Sequence, residues 1–208
     1  MMTGSEDTPD LALTRFRAVS EESLRRAGES LSGLLGHPVR LTVSAISTVP
    51  VGALPDLTAE AVSGPMAGLL IRFSGEAAGQ IVILFPLATV FRMLGVLLKG
   101  QVRLLSLSET ERSAVQEVGN ILASAFLSGL ADLLGKRLMP SPPQLHVDDL
   151  PGLIQQVMAD LEEEASDVLV VEALFEDPGQ RIEGRFYVLP EAASLTALLQ
   201  AARGEGGR

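Results

Sequence analysis

The sequence predicts a mixed α/β fold of the α+β kind, in which two pseudo-symmetric halves pack long helices on an antiparallel sheet. Three observations carry this reading. The order helix–strand–hairpin–helix occurs twice along the 208 residues. A shift of 99 positions superposes the core pattern of the two halves, placing Val115 on Phe16, Val118 on Val19, Leu130 on Leu31 and Gly135 on Gly36. Each half also carries a pair of strand-like runs around a Gly-containing turn, which reads as a hairpin and so as antiparallel pairing. A duplicated pattern sets the architecture. A single half is small to bury its own helix stripe, so one merged core is expected.

Residues 1–9 read as a disordered tail. Asp10 to Leu35 forms a long helix with Leu13, Phe16, Leu24, Leu31 and Leu34 on one face, stopped by Gly36 and Pro38. Val39 to Val49 alternates and is rich in β-branched residues, a strand. A connection follows, with a short helical turn after Pro55. Ala67–Phe73 and Gln80–Phe85 form the first hairpin around Gly75–Gly79. Pro86 opens a helix over Leu87–Leu98, a position that suits proline.

The second half repeats the order. Ser108 with Glu111 three residues later is a capping-box spacing, and Gly135 is a natural stop, so Ser108–Gly135 is a long amphipathic helix. Leu138–Val147 is extended. Leu150–Glu164 is a helix ending in an acidic run. Val168–Phe175 and Arg181–Leu189 form the second hairpin across Asp177-Pro178-Gly179. Pro190 precedes a last helix, Glu191–Arg203, and residues 204–208 form a fraying tail. The expected organisation is one domain over 10–203, with halves 10–100 and 101–203.

Composition narrows the function classes. Hydrophobic residues make up 47% and charged residues 20%, which fits a globular chain. The net charge of −10 argues against nucleic acid as a partner, because phosphate neutralisation needs a basic surface. It argues equally against an anionic membrane surface. There is no cysteine, which excludes disulfides and thiolate metal sites. His37 and His146 are far apart in sequence and read as loop or strand-end residues rather than metal ligands. No secretory signal and no run of about twenty apolar residues is visible, so a cytoplasmic protein without membrane insertion is expected.

The second long helix carries the candidate chemistry. At 100° per residue, Val115, Val118, Leu122, Phe126, Leu130 and Leu133 form its apolar stripe. Ser113, Glu117, Asn120 and Ser124 fall on the opposite side. The duplicate supplies an internal control: Ser113, Glu117, Asn120 and Pro143 correspond to Thr14, Ala18, Glu21 and Ser44. Only the second half has the Glu/Asn pair. Asn is a poor helix-interior residue, and Gly119 beside it costs about 1 kcal/mol relative to Ala. Such local conflicts mark functional sites or close contacts, so a neighbouring element should approach Gly119.

The pattern Ser113-x-x-x-Glu117-x-x-Asn120, followed after twenty-two residues by Pro143, resembles the signature of the CheC/CheX/FliY phosphatases of bacterial and archaeal chemotaxis. The string EVGNILASAFLSGLADLLGKRLMPSPP is similar to that family's second-half motif, and the duplicated layout resembles CheC in particular. The resemblance implies two pseudo-symmetric halves with long helices on a continuous antiparallel sheet. It implies a hydrolase acting on the aspartyl phosphate of the response regulator CheY. In that role Asn120 would orient the attacking water, Glu117 would engage the regulator's active-site lysine, and Ser113 and Pro143 would support them. The chain would bring no cofactor of its own; Mg²⁺ would sit on the regulator. Many CheC proteins carry the pair in both halves, so Thr14, Ala18, Glu21 and Ser44 imply a degenerate first site and a single active one. The alternative implied by the family is an adaptor with little catalysis that binds the receptor deamidase CheD or the flagellar switch. The helix after Leu150, with Glu162–Glu164, reads first as a solvated helix end and second as a candidate docking surface for such a partner.

Overall fold

The computed structural model describes residues 8–54, 64–99, 107–159, 167–177 and 180–204. Helix α1 spans Thr8–Leu35, followed by β1 (Arg40–Pro50) and a single tight turn at Val51–Ala53. The first hairpin is β2 (Met66–Gly75) and β3 (Gly79–Pro86), and α2 is Leu87–Leu97. Then come α3 (Glu109–Leu134), β4 (Leu138–Pro140), β5 (Gln144–Asp148) and α4 (Leu150–Ala159). Strands β6 (Asp167–Asp177), β7 (Gln180–Glu183) and β8 (Arg185–Pro190) precede α5 (Ala192–Arg203).

The eight described strands form one sheet in the order β1-β6-β8-β3-β2, with β4 and β5 both pairing β2 at its far edge and β7 pairing β6. Every pairing is antiparallel. The two hairpins meet at the centre, where β3 pairs β8. The outer strands are exchanged between halves: β1 pairs the second hairpin's β6, and β5 pairs the first hairpin's β2. Neither half therefore completes a sheet by itself.

Strand alternation divides the side chains between two faces. Leu69, Ile71, Ile81, Ile83, Val171 and Phe186 join one core under the long helices, together with Phe16, Leu24, Phe126 and Leu130. Leu70, Val82, Leu84, Tyr187 and Leu189 point the other way, where Leu153 and Val157 of α4 cover them. Among the described residues α3 alone has the length and apolarity to cross a membrane. Its apolar stripe is instead buried in the first of these cores.

Several expected elements change shape. The helix expected from Asp10 begins at Thr8, so Thr8 and Pro9 leave the expected tail. The extended segment 138–147 divides into β4 and β5 around Ser141-Pro142-Pro143. The two prolines have no N–H to donate to a ladder. Ser141 keeps contact with β2, its N–H donating to the Arg72 carbonyl at 2.8 Å and its Oγ accepting from the Arg72 N–H at 3.1 Å. The return strand of the second hairpin breaks at Gly184. A Cβ there would lie 2.6 Å from the Phe85 ring and would also overlap the Phe175 ring. Those two rings pack edge to face with centroids 5.0 Å apart. The turn after Pro55, the join at 100–101, the acidic run Glu162–Glu164 and Pro178–Gly179 lie outside the described residues.

The single tyrosine reports on the α4 side of the sheet. Tyr187 is 2% exposed, and burial pushes its phenol above the usual value. A raised folded-state value means that this group's contribution is complete below the unfolded value of about 10 and is lost as pH rises beyond it. Phenolate absorbance should therefore emerge above about pH 10 and together with the loss of circular dichroism. Ionisation at or below that pH with the fold intact would contradict this burial.

Candidate functional site

Helix α3 is held at both ends. Ser108 is its N-cap: its backbone N–H donates to Glu111 Oε2 at 2.6 Å, and the Glu111 N–H donates to Ser108 Oγ at 3.4 Å. Gly135 closes the other end at φ +65°, a left-handed conformation that glycine adopts without steric cost. In between, Val115, Val118, Leu122, Phe126 and Leu130 are fully buried. Gly119 lies on the sheet, where a Cβ would come within 2.8 Å of Leu69 Cδ1 on β2. That is the close approach its position in the helix implies.

The opposite side of α3 faces out. Ser113, Glu117 and Ser124 are exposed, while Asn120 is half-buried. Neither Glu117 nor Asn120 has a side-chain hydrogen bond or ion pair among the described residues. A carboxylate and a carboxamide thus stand one helical turn apart on a rigid scaffold with their polar atoms unengaged. The carboxamide can both donate to and accept from a water molecule without adding charge.

Pro143 is buried beside this helix, through two residues that periodicity does not single out. Gln116 Nε2 donates to the Pro143 carbonyl at 2.8 Å, and an Arg112 guanidinium nitrogen donates to the Leu145 carbonyl at 2.8 Å. The spacing explains why both bonds form. Four helical residues rise about 6 Å and two strand residues about 6.6 Å, so the segment runs antiparallel to α3 at two residues per turn. The sequence holds a weak signal for this clamp: two long polar side chains four apart on the flank of the polar face.

The first half lacks the arrangement. Thr14, Ala18 and Glu21 are exposed on α1, and Glu21 pairs with Arg17 at 3.6 Å. Arg17 stands where α3 has Gln116 and is turned along its own helix. Ser44 lies at a register shift in β1 and its Oγ donates to the Glu172 carbonyl at 3.1 Å. Both halves thus interrupt their outer strand at the equivalent position, by a bulge at Ser44 and by a break at Pro143. His37 precedes β1 and His146 lies in β5, at opposite edges of the sheet. The described residues hold no cluster of three or more His, Asp or Glu side chains able to take a metal ion.

Three comparisons show which proteins this chain is similar to. A model of the CheC-like family matches residues 111–147, the stretch from the capping box through Pro143 to β5. CheC of Bacillus subtilis, named a CheY-P phosphatase, is 24% identical over 191 residues, covering 89% of this chain and 91% of its own. Among solved structures, FliY of Thermotoga maritima superposes with a TM-score of 0.74 at 21% identity, over 98% of this chain and 100% of that one. A CheX–CheY–BeF3–Mg complex from Borrelia burgdorferi matches at a TM-score of 0.50 and 15% identity, over 90% of this chain and 99% of its counterpart. This protein, with its paired hairpins and its polar α3 face, is thus similar to the CheC-like family in sequence over residues 111–147 and to FliY in fold.

Proposed function

We propose that this chain is a phosphatase for the aspartyl phosphate of a CheY-type response regulator. The observation that carries the reading is the unengaged Glu117/Asn120 pair on the outer face of α3, beside the pinned Pro143 segment. An aspartyl phosphate sits in the regulator's own pocket with the regulator's own Mg²⁺. The phosphatase therefore need not supply a metal, a phosphate loop or a nucleophile. What remains is positioning: a group that enters the partner's pocket and aligns water with the phosphorus.

Asn120 takes that role. Its amide holds a water by one donated and one accepted hydrogen bond, and brings no negative charge toward the phosphoryl group. Glu117, one turn earlier, meets the regulator's active-site lysine and fixes the approach. Ser113 continues the contact face, and Pro143 sets the wall beside it. A protruding helix suits entry into another protein's site, whereas a small substrate would call for a concave pocket.

The test is to mix the protein with phosphorylated CheY-type regulator and follow loss of acyl phosphate. Acceleration over the regulator's own decay is expected; no acceleration overturns the reading. Binding to CheD or to flagellar-switch components without turnover would indicate the adaptor role instead. Glu21→Ala should leave the rate unchanged, because α1 carries a carboxylate at the Asn position and Ala18 at the Glu position. A severalfold loss in that variant would show that the first half works.

A further inference from the structure

The polar face of α3 does not end at Asn120. At 100° per residue, Ser124, Ser128 and Ala131 stay on the side that carries Ser113, Glu117 and Asn120. There, α3 and the chain returning into β4 enclose an open groove of about 690 Å³, with Leu127 in its floor and Arg137 and Met139 in its other wall. Ser128 lies eight residues beyond Asn120, about 12 Å along the helix.

Two side chains in that wall are available to a partner. Met139 is 70% exposed, more than any other large apolar side chain among the described residues. The strand holds it there: its neighbour Leu138 packs against the core, and alternation turns Met139 outward. An unbranched thioether adapts readily to an opposing apolar surface. Arg137 is exposed and has no ion-pair partner among the described residues, whereas the adjacent Lys136 is neutralised by Glu76 at 3.0 Å. The carboxylate that lines the groove, Asp132, stands 3.9 Å from Arg26, which leaves Arg137 as a cation without an ion pair at the rim among the described residues.

Size identifies the occupant. A specific protein interface covers about 800 Å² on each partner, a patch about 16 Å in radius if circular. A regulator domain that presents its phosphoaspartate to Asn120 therefore also lies over Ser128. We infer that the groove is a second anchor for that same regulator domain, receiving an apolar side chain against Met139 and a carboxylate at Arg137. This rests on the phosphatase reading and extends it. The anchor lies away from the reacting atoms and contributes equally to the ground state and the transition state. It therefore acts on KM and leaves kcat alone.

The probe is a CheY-type regulator domain charged with acetyl phosphate, with its beryllofluoride form for binding. Met139→Glu and Arg137→Glu should each raise KM about tenfold with kcat unchanged. Gln155→Lys on α4, across the sheet, should leave both constants unchanged. A change in KM below about twofold in both groove variants overturns the inference. If Met139→Glu loses its circular dichroism, Met139→Ala and Arg137→Glu decide the matter by the same criterion. The two readings fail separately. Absence of any turnover by the parent protein overturns the phosphatase reading, and the beryllofluoride regulator then still tests the groove through affinity. An equal Kd for the parent protein and the groove variants overturns the groove.

Discussion

Asn120→Ala should lower the maximal rate of regulator dephosphorylation by about a hundredfold or more, the scale of losing the group that positions a reactant. The fold should not suffer. Asn120 is half-buried and its side chain has no hydrogen bond among the described residues, so nothing is orphaned by its removal. Ala is also the better helix former, by roughly half a kcal/mol. The variant should therefore melt at the same temperature or slightly higher while its activity is lost. That opposition separates a positioning role from a structural one, and acyl-phosphate decay measured alongside thermal unfolding reads both. Asn120→Asp should lose the rate as well, since a carboxylate there opposes the phosphoryl charge. Full activity in Asn120→Ala would sink the proposed mechanism.

Phe126→Ala should produce the opposite result. Phe126 is fully buried on the side of α3 away from Asn120, and its ring packs against Phe186 of β8 with centroids 4.8 Å apart. Truncating a buried Phe costs about 3–5 kcal/mol through lost transfer energy and the cavity left behind. For a chain of this size that corresponds to a fall in Tm of about 10–15 °C. The urea midpoint should drop with the slope unchanged, because the surface exposed on unfolding is nearly the same. Well below the new Tm, the activity per folded molecule should persist. A loss under about 1 kcal/mol would mean that the α3–sheet packing is not what holds the helix.

Much of the architecture was legible in the residues. The capping box at Ser108 and Glu111 and the left-handed stop at Gly135 are local signals, and α3 runs between them as read. The buried stripe of α3 follows from the period of the helix, and Gly119 meets Leu69 closely, as its unfavourable place in a helix implies. The sites where the reading slipped share one cause. Segment 138–147 and strand 181–189 both alternate well enough to read as continuous. Each is interrupted because of something distant: β2 and α3 for Pro142-Pro143, and the Phe85/Phe175 ring pair for Gly184.

The candidate site divides in the same way. That Glu117 and Asn120 share the outer side of a helix is a matter of spacing within four residues. That Asn120 is half-buried while Glu117 is exposed is not set by that spacing. Periodicity does not single out Arg112 and Gln116, and their roles appear only once the carbonyls of Leu145 and Pro143 come within 2.8 Å.

The sequence by itself determined the long helices, the two hairpins, the caps of α3 and the polar residues offered on it, because each depends on neighbours a few positions apart. The tertiary structure alone decided that the halves exchange their outer strands, that α4 covers the second face of the sheet, and that the Pro143 segment runs alongside α3. These are choices among partners far apart in the chain. Any antiparallel edge could satisfy the same backbone groups, so the choice is made by which packing buries both faces at once.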